Sequence, residues 1–302
     1  MIHRKLAETP TWTVIAAIYG GWLALTLSYR SLPAYLVAPL GAWLLAWHGS
    51  LQHEALHGHP TRRPWLNALL AGPPLALWLP FRIYRETHLA HHRAPELTDP
   101  LSDPESYYTA ADQWARLSRP ARLLRQALHT AAGRLALGPF AVVWRLLRAE
   151  APRLLSGDRR RLAIWAAHAA AVAAVLLWVV AVCRIPPWAY LALFVYPGMS
   201  LTLLRSFTEH RPAEDQRRRT AVVEAGPVLS LLYLNNNLHL VHHLWPQLPW
   251  YELPRRYRAR RGDLLEQNGQ FRFAGYADVL RRFALRSKDS PVHPRAAEEV
   301  RA

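Results

Sequence analysis

Histidine in three short clusters is the feature of this sequence with the clearest chemical potential. The clusters are His53-Glu54-Ala55-Leu56-His57, His88-Leu89-Ala90-His91-His92 and His239-Leu240-Val241-His242-His243. Residues three or four apart lie on one face of a helix, so each cluster can direct at least two imidazoles towards one point. Eight imidazoles exceed what one tetrahedral ion uses and fit two ions; imidazole binds iron, zinc and copper alike. The residues alone therefore predict a dinuclear, histidine-rich metal centre.

The remaining histidines and the single cysteine narrow the chemistry further. His3, His129, His168 and His293 are isolated, and we interpret them as structural or surface residues. His48 and His59 flank the first cluster and fit either a structural or a metal-binding role. One cysteine, Cys183, excludes an internal disulfide, thiolate-rich zinc sites and cysteine-ligated iron–sulfur clusters.

Three other kinds of metal protein share parts of this pattern. The first cluster matches the HExxH motif of zinc proteases, in which Glu54 would activate water, but a protease would leave the other two clusters unused. A carboxylate-bridged di-iron bundle needs Glu-x-x-His on two helices, and the clusters contain only the pair Glu54 and His57. A histidine-rich metal transporter stays an alternative, although transport sites usually lie within the spans near the midplane of the bilayer.

Long apolar segments indicate the elements that must position these clusters. Four segments contain no Asp, Glu, Lys or Arg, namely 11–29, 33–52, 162–183 and 187–204. At ~1.5 Å per residue each can cross a hydrocarbon core of ~30 Å. Their tight pairing favours two transmembrane hairpins, 11–52 and 162–204, over a large soluble helical protein.

Two further apolar segments are predicted to stay on one side of the membrane. Residues 65–81 are interrupted by Gly72-Pro73-Pro74, which would break a helix in lipid, and predict an interfacial or re-entrant hairpin. Residues 134–148 mix apolar residues with Arg, as in an amphipathic helix on the membrane surface.

The distribution of charge predicts the orientation in the membrane. The formal net charge is +16, yet the mean hydropathy is only −0.06. The short connections hold one Arg each, Arg30 and Arg184, whereas residues 82–161 and those from 205 onward are rich in Arg. The positive-inside rule then places both basic segments, both termini and all three clusters in the cytoplasm. Anionic lipid, not nucleic acid, explains the charge. A second span follows the first at once, so we expect the first to be retained and not cleaved as a signal peptide.

These observations predict an all-α integral membrane protein. It is one domain, 1–302, with four transmembrane helices in two hairpins. A cytoplasmic helical cap formed by 53–161 and 205–302 holds the metal site.

The motifs HEALH, HLAHH and HLVHH, in this order and with two hydrophobic hairpins among them, resemble the three histidine boxes of the membrane fatty acid desaturase and hydroxylase superfamily. The resemblance covers residues 40–255. The segments LTDPLSDPESYY and NNNLHLVHHLWP are similar to a compact bacterial branch, which implies a bacterial cytoplasmic membrane. The resemblance also implies a non-haem di-iron centre that activates O2 with two electrons from an external donor. Such a centre removes hydrogen from an unactivated C–H bond.

The resemblance also implies a ligand set. It adds His210, in RSFTEHR, to the eight box histidines, giving as metal ligands His53, His57, His88, His91, His92, His210, His239, His242 and His243. No catalytic residue beyond these ligands is predicted. Nearby carboxylates, and an amide found in some relatives, are expected to orient the rings. The candidates are Glu54, Glu86, Glu209, Asp103 and Asn236.

The predicted function is therefore O2-dependent desaturation of a fatty acyl chain in a lipid. A hydroxylase or ketolase with the same centre, and a desaturase of a small amino-acid-derived substrate, are the alternatives. The chain contains no recognisable haem-binding or ferredoxin-like segment, and the resemblance implies a separate donor of ferredoxin or rubredoxin type.

Overall fold

The structure is a computed structural model that describes residues 8–294, which are mostly helical. The helices are α1 Thr9–Leu27, α2 Ala34–Leu56, α3 Pro64–Ala71, α4 Phe81–His91, α5 Ala111–Arg116, α6 Arg119–Leu128, α7 Ala131–Leu155, α8 Arg159–Val182, α9 Pro187–Glu209, α10 Pro227–Leu232, α11 His239–Leu244, α12 Leu253–Ala259, α13 Arg261–Gln267 and α14 Tyr276–Phe283. Two short strands, β1 Val222–Val223 and β2 Arg272–Phe273, pair in parallel, with Val222 opposite Arg272 and Val223 opposite Phe273.

Two long helices contain π-helical turns. In α8 the final residues, Trp178–Val182, are π-helical. In α9 a π-helical stretch, Leu191–Val195, joins α-helical segments on either side. Pro197 has no amide hydrogen to donate to the carbonyl of Leu193, so the regular ladder is already interrupted where this turn widens.

Among the described residues, three helices are long and apolar enough to cross a membrane, namely α1, α8 and α9. They contain the predicted segments 11–29, 162–183 and 187–204 almost entirely. The predicted segment 33–52 forms most of α2, which has 23 residues but is not among these three. His48, Gln52 and Glu54 lower its mean hydropathy. The fourth span therefore stays a prediction.

Residues 65–81 do not form one continuous helix. They are divided between α3, which has eight residues, and an irregular segment that leads to α4. Pro73 and Pro74, directly after Gly72, cannot donate backbone hydrogen bonds, so α3 stops there. A helix of this length extends only ~12 Å and cannot cross the bilayer alone.

The amphipathic segment 134–148 lies within α7. Apolar side chains at helical spacing are exposed along it, at Leu137, Phe140, Trp144 and Leu147. An exposed apolar stripe of this kind is typical of a helix that contacts a membrane surface.

The chain divides into two compact units. Of the described residues, the first unit contains 8–85, 140–202 and 232–234. The second unit contains 86–139, 203–231 and 235–294.

Close helix packing holds the first unit together. Gly41 of α2 and Gly198 of α9 allow these helices to approach, because a Cβ on Gly198 would lie 2.7 Å from Cβ of Leu45. A Cβ on Gly41 would similarly lie 2.8 Å from the ring of Phe194. Small residues at such contacts are usual in membrane helices. This packing positions α2, which carries the first histidine cluster on its last turn.

The second unit is built around α11 and its neighbours. Side chains on or next to β1, α11, α12 and α13 pack together into an apolar core. Its members are Val222, Leu238, Leu240, Val241, Leu253, Tyr257, Leu264 and Leu265. The side chain of Asn237 donates to the carbonyl of Val223 at 2.8 Å. The backbone before α11 is thereby tied to β1, and the third histidine cluster is held in one orientation.

Candidate metal centre

In the second unit, seven of the predicted ligands form two groups. We call them group one, which is His88, His92 and His242, and group two, which is His91, His210, His239 and His243. Helix α4 and the residue after it supply the second cluster, α11 supplies the third, and His210 directly follows α9. The helical spacing expected from the sequence divides each HxxHH cluster between the two groups.

Group two is compact. The Nε2 atom of His210 lies 3.2 Å from Nε2 of His91 and 3.1 Å from Nε2 of His239. Nε2 of His243 lies 3.1 Å from Nε2 of His239. All four nitrogens lie within 4.8 Å of one another.

Group one has the same form. Nε2 of His92 lies 3.0 Å from Nε2 of His88 and 3.0 Å from Nε2 of His242. Nitrogens on perpendicular bonds of about 2.1 Å to one metal ion would be about 3.0 Å apart. The spacing in both groups therefore suits ligands of a shared ion.

Hydrogen-bond acceptors determine which ring nitrogen of each histidine faces the other histidines of its group. Nδ1 of His91 lies 2.8 Å from Oδ1 of Asp103, and Nδ1 of His88 lies 3.1 Å from both carboxylate oxygens of Glu105. Nδ1 of His239 lies 3.0 Å from Oδ1 of Asn236. Because an acceptor faces each Nδ1, that nitrogen carries the proton and Nε2 presents a lone pair.

Converging lone pairs repel one another unless a cation lies between them. The Nε2 atoms of His91, His239 and His88 each face another imidazole nitrogen at 3.0–3.2 Å. This arrangement is what a divalent metal requires of neutral imidazole ligands. The residues present thus fit two metal ions.

Burial keeps three of these rings, those of His92, His210 and His243, neutral. Burial, together with the neighbouring His88 and His91, lowers the pKa of His92 to about 2. Burial and neighbouring histidines also hold the pKa of His210 and of His243 well below the ordinary value. At His91 burial lowers the pKa, but the hydrogen bond to Asp103 and nearby carboxylates outweigh it, so the pKa is raised.

The predicted orienting residues differ in what they contact. Asp103 and Asn236 contact ring nitrogens as described above, and Glu209 Oε1 lies 3.4 Å from Nδ1 of His239 and 2.7 Å from Arg205. Glu86 lies on α4 and is partly buried. Glu105 was missed at the sequence level, although it lies in the segment after the second cluster. The spacing of Asp103 and Glu105 does not indicate which histidine each reaches.

The first cluster belongs to the first unit. His53 and His57 are both 3% exposed at the end of α2, and their ring centroids lie 4.9 Å apart. Glu54 Oε1 lies 3.9 Å from Nε2 of His59, whose Nδ1 lies 2.9 Å from both carboxylate oxygens of Glu8. His59 is therefore held by carboxylates that connect the start of α1 to the first cluster.

The isolated histidines each bond elsewhere. His48 contacts the Tyr19 hydroxyl at 3.3 Å, His129 contacts Asp289 at 2.9 Å, and His293 contacts the Thr98 hydroxyl at 3.1 Å. Nε2 of His168 lies 3.0 Å from the carbonyl oxygen of Leu77. His3 lies outside the described residues.

Comparison with known proteins agrees with this geometry. The family model described as "Fatty acid desaturase" matches residues 30–275, which include all three histidine clusters and His210. A search of curated proteins finds no match. Because the family model covers most of the chain, the protein belongs to the fatty acid desaturase family.

Proposed function

We propose that this protein is an O2-dependent di-iron desaturase of acyl lipids in the bacterial cytoplasmic membrane. Membership of the family implies an oxidoreductase, a lipid substrate and association with a membrane. The observation that carries the proposal is the convergence of imidazole lone pairs in two separate groups. Two groups favour two ions, and a nitrogen-rich site suits iron.

His53 and His57 complete group one in this proposal. Group one has three histidines within the second unit, fewer than group two, and the family's three-box pattern supports assigning the remaining pair to it. The ligand set then comprises five imidazoles in group one and four in group two. Asp103, Glu105 and Asn236 orient the rings by accepting from Nδ1.

The two iron ions would supply activation of O2 and removal of two hydrogens from adjacent carbons. In the balanced reaction, a CH2–CH2 unit loses two hydrogens and becomes CH=CH. O2 takes up these hydrogens, two further protons and two electrons, and forms two waters. The electrons come from a separate donor of ferredoxin or rubredoxin type, because the single cysteine cannot hold an iron–sulfur cluster.

Expression in a host that lacks desaturase activity tests the reaction. Mass spectrometry of lipids and extractable metabolites should reveal a product two mass units lighter than its precursor, as loss of two hydrogens requires. A product that gains oxygen would instead support the hydroxylase or ketolase alternative. Metal flux into liposomes without consumption of O2 would support a transporter and contradict the proposal.

The metal content of single variants tests the ligand assignment. We expect wild-type protein to bind two irons per chain and His53→Ala or His242→Ala to lose the iron of group one. His48→Asn, a change on the same helix as His53, is the control and should retain both ions. Full activity and full iron in His53→Ala and His242→Ala would contradict the assignment.

A further inference from the structure

A cavity of about 920 Å³ lies within the first unit, and no histidine of the three clusters is among the described residues that line it. Its walls come from α1, α3, α8, the irregular segment between α3 and α4, and the start of α4. Large apolar side chains predominate among the residues that line it, including Trp22, Trp65, Leu75, Phe81, Ile164 and Trp178. The volume is within the range of ~300–1,000 Å³ that is usual for small-molecule sites.

The irregular segment that forms one wall, together with the end of α3 before it, is held by side chains of four different helices. At the end of α3, the carbonyl of Leu70 accepts from Tyr19 at 2.7 Å and that of Ala71 from Gln52 at 3.0 Å. In the irregular segment, the carbonyl of Leu75 accepts from Tyr190 at 2.8 Å and that of Leu77 from His168 at 3.0 Å. Non-helical backbone at membrane depth is tolerated only when protein satisfies it or when it lines a cavity. The segment meets both conditions, which gives the isolated His168 a structural role and keeps this wall in place.

These hydrogen bonds also determine what the cavity can bind. Tyr19 and His168 line it, but the Tyr19 hydroxyl and Nε2 of His168 donate to the carbonyls of Leu70 and Leu77. Arg82 is the one permanently charged residue among the described residues lining the cavity, and it is exposed. A ligand would therefore meet an apolar surface with a single positive group at its edge.

The surroundings of the cavity indicate the source of such a ligand. Two of its walls, α1 and α8, are long and apolar enough to span a membrane. Trp65 and Leu69 on α3 are 63% and 66% exposed although they line the cavity, so its apolar lining continues onto the surface. Tryptophan and arginine at such a rim are typical of the lipid–water interface.

We propose that this cavity binds one hydrocarbon chain whose anionic end group pairs with Arg82. The guanidinium suits both a carboxylate and a phosphate, so the chain belongs either to a free fatty acid or to an anionic phospholipid. The proposal does not depend on the metal centre or on the reaction proposed above.

Photo-crosslinking of the full-length protein tests the proposal. The protein is reconstituted in phosphatidylcholine vesicles that contain a trace of diazirine-bearing palmitic acid, phosphatidylglycerol or phosphatidylcholine, and labelled peptides are identified by mass spectrometry. We expect one or both anionic probes to label peptides of α3 and α8. Labelling by palmitic acid alone identifies a free fatty acid, and labelling by phosphatidylglycerol identifies a phospholipid.

Matched variants separate the cavity from general contact with lipid. Ala171→Trp on α8 fills the cavity and should abolish this labelling, whereas Ala173→Trp, an exposed position on the same helix outside the lining, should retain it. Arg82→Gln should remove the preference for anionic probes, and Arg85→Gln on the same helix should keep it. Labelling that persists in Ala171→Trp, or an equal yield from all three probes in wild type, would overturn the proposal.

Iron content and product formation are measured on the same preparations. Because labelling requires neither iron nor O2, loss of the lipid site and failure of the proposed reaction give different results. Ala68→Phe, which fills the cavity from α3, replaces Ala171→Trp if the latter does not fold.

Discussion

At the scale of single residues, the decisive feature is the acceptor behind each imidazole. Asp103 is 4% exposed, and its two oxygens have separate tasks: Oδ1 faces Nδ1 of His91, and Oδ2 accepts from the amide of Thr98 at 2.9 Å. Thr98 has a φ of 76°, an uncommon conformation for a residue with a side chain, and this amide contact helps to hold it. The loop after the second cluster is therefore built around the carboxylate that orients His91.

Asp103→Asn tests this role. The amide keeps the size of the carboxylate but loses the charge that favours a proton on Nδ1 of His91, so the ring is less well held as a ligand. Loss of such a partner typically costs about 10–100-fold in metal affinity. We expect faster loss of one iron to a chelator, measured by metal analysis.

Asp112→Asn is the matched control, because Asp112 lies in an exposed ion pair with Arg116. Its rate of iron loss should equal that of wild type, since exposed ion pairs contribute little. Equal rates of iron loss in Asp103→Asn and wild type would show that the carboxylate has no part in holding the metal.

The clusters could be predicted from spacing because helical periodicity is a local property. Their division into groups could also be anticipated, since i and i+4 residues share a face. The residues that support the histidines and their loops could not be predicted, because they come from distant parts of the chain. Lys288 donates to the carbonyl of His210 at 2.5 Å, and His293 contacts Thr98, which is 195 positions away in the sequence. Local pattern carries no information about such contacts.

At the scale of elements, the segment from Lys288 to His293, which we call the strap, forms hydrogen bonds with distant parts of the second unit. The amide of Lys288 donates to the carbonyl of His129 at 2.9 Å, and Asp289 accepts from the Tyr108 hydroxyl at 2.6 Å. This segment lies beyond residue 275, where the family match ends. Its contacts with the loops around the histidines make it part of the support of the metal centre.

Asp289→Asn tests the strap. Burial raises the pKa of Asp289, but Lys288, His129 and Tyr108 outweigh it and lower the pKa from 3.8 to about 2. Such a carboxylate stabilises the fold above its unfolded pKa, and this stability is lost as the pH falls through the folded pKa. The shift corresponds to about 2 kcal/mol at neutral pH.

We therefore expect a lower apparent Tm for Asp289→Asn than for wild type at pH 7. The difference should shrink as the pH falls from 4 to 2, the window set by the two pKa values. An apparent Tm that equals wild type at pH 7 would mean that the strap contributes no stability.

The close contact between α2 and α9 can also be tested by substitution. Gly198→Ala places a methyl group 2.7 Å from Cβ of Leu45, so the helices must separate. Overpacking of this kind typically costs about 1–3 kcal/mol. Gly20→Ala in α1 meets nothing within 4 Å, and alanine there favours the helix.

Thermal unfolding in detergent should distinguish these two alanines. We expect a lower Tm for Gly198→Ala and an unchanged or higher Tm for Gly20→Ala. The same Tm in both variants would indicate that the approach of α2 to α9 does not depend on Gly198.

At the scale of the whole molecule, the chain combines apolar helices with a strongly basic remainder. Only 17% of the most apolar stretch of 18 residues in α8 is buried, and side chains of this helix such as Leu177 and Val182 are exposed. A helix with so much exposed apolar surface needs lipid around it. Composition alone obscured this contrast, because a mean hydropathy of −0.06 averages the two parts. The position of each segment along the sequence was needed to separate them.

The number of membrane crossings is a prediction that concerns the whole chain. Within residues 8–294, three helices are long and apolar enough to cross a membrane, and α2 would be the fourth crossing. With four crossings both termini lie on the same side of the membrane, whereas with three they lie on opposite sides. Arg-rich segments at 82–161 and from 205 onward favour the cytoplasm for both.

Reporter fusions at each terminus show directly whether the number of crossings is even or odd. We expect green fluorescent protein to fluoresce, and alkaline phosphatase to stay inactive, at both the N-terminus and the C-terminus, because four crossings return the chain to the cytoplasm. A fusion after Arg184, in the connection between α8 and α9, is a second readout: it should give active phosphatase with four crossings, and inactive phosphatase if the N-terminus is cytoplasmic and α2 does not cross. Active phosphatase at one terminus alone would mean an odd number of crossings and would remove α2 from the set of spans. The histidines at its end would then adjoin a helix that lies along the membrane instead of crossing it.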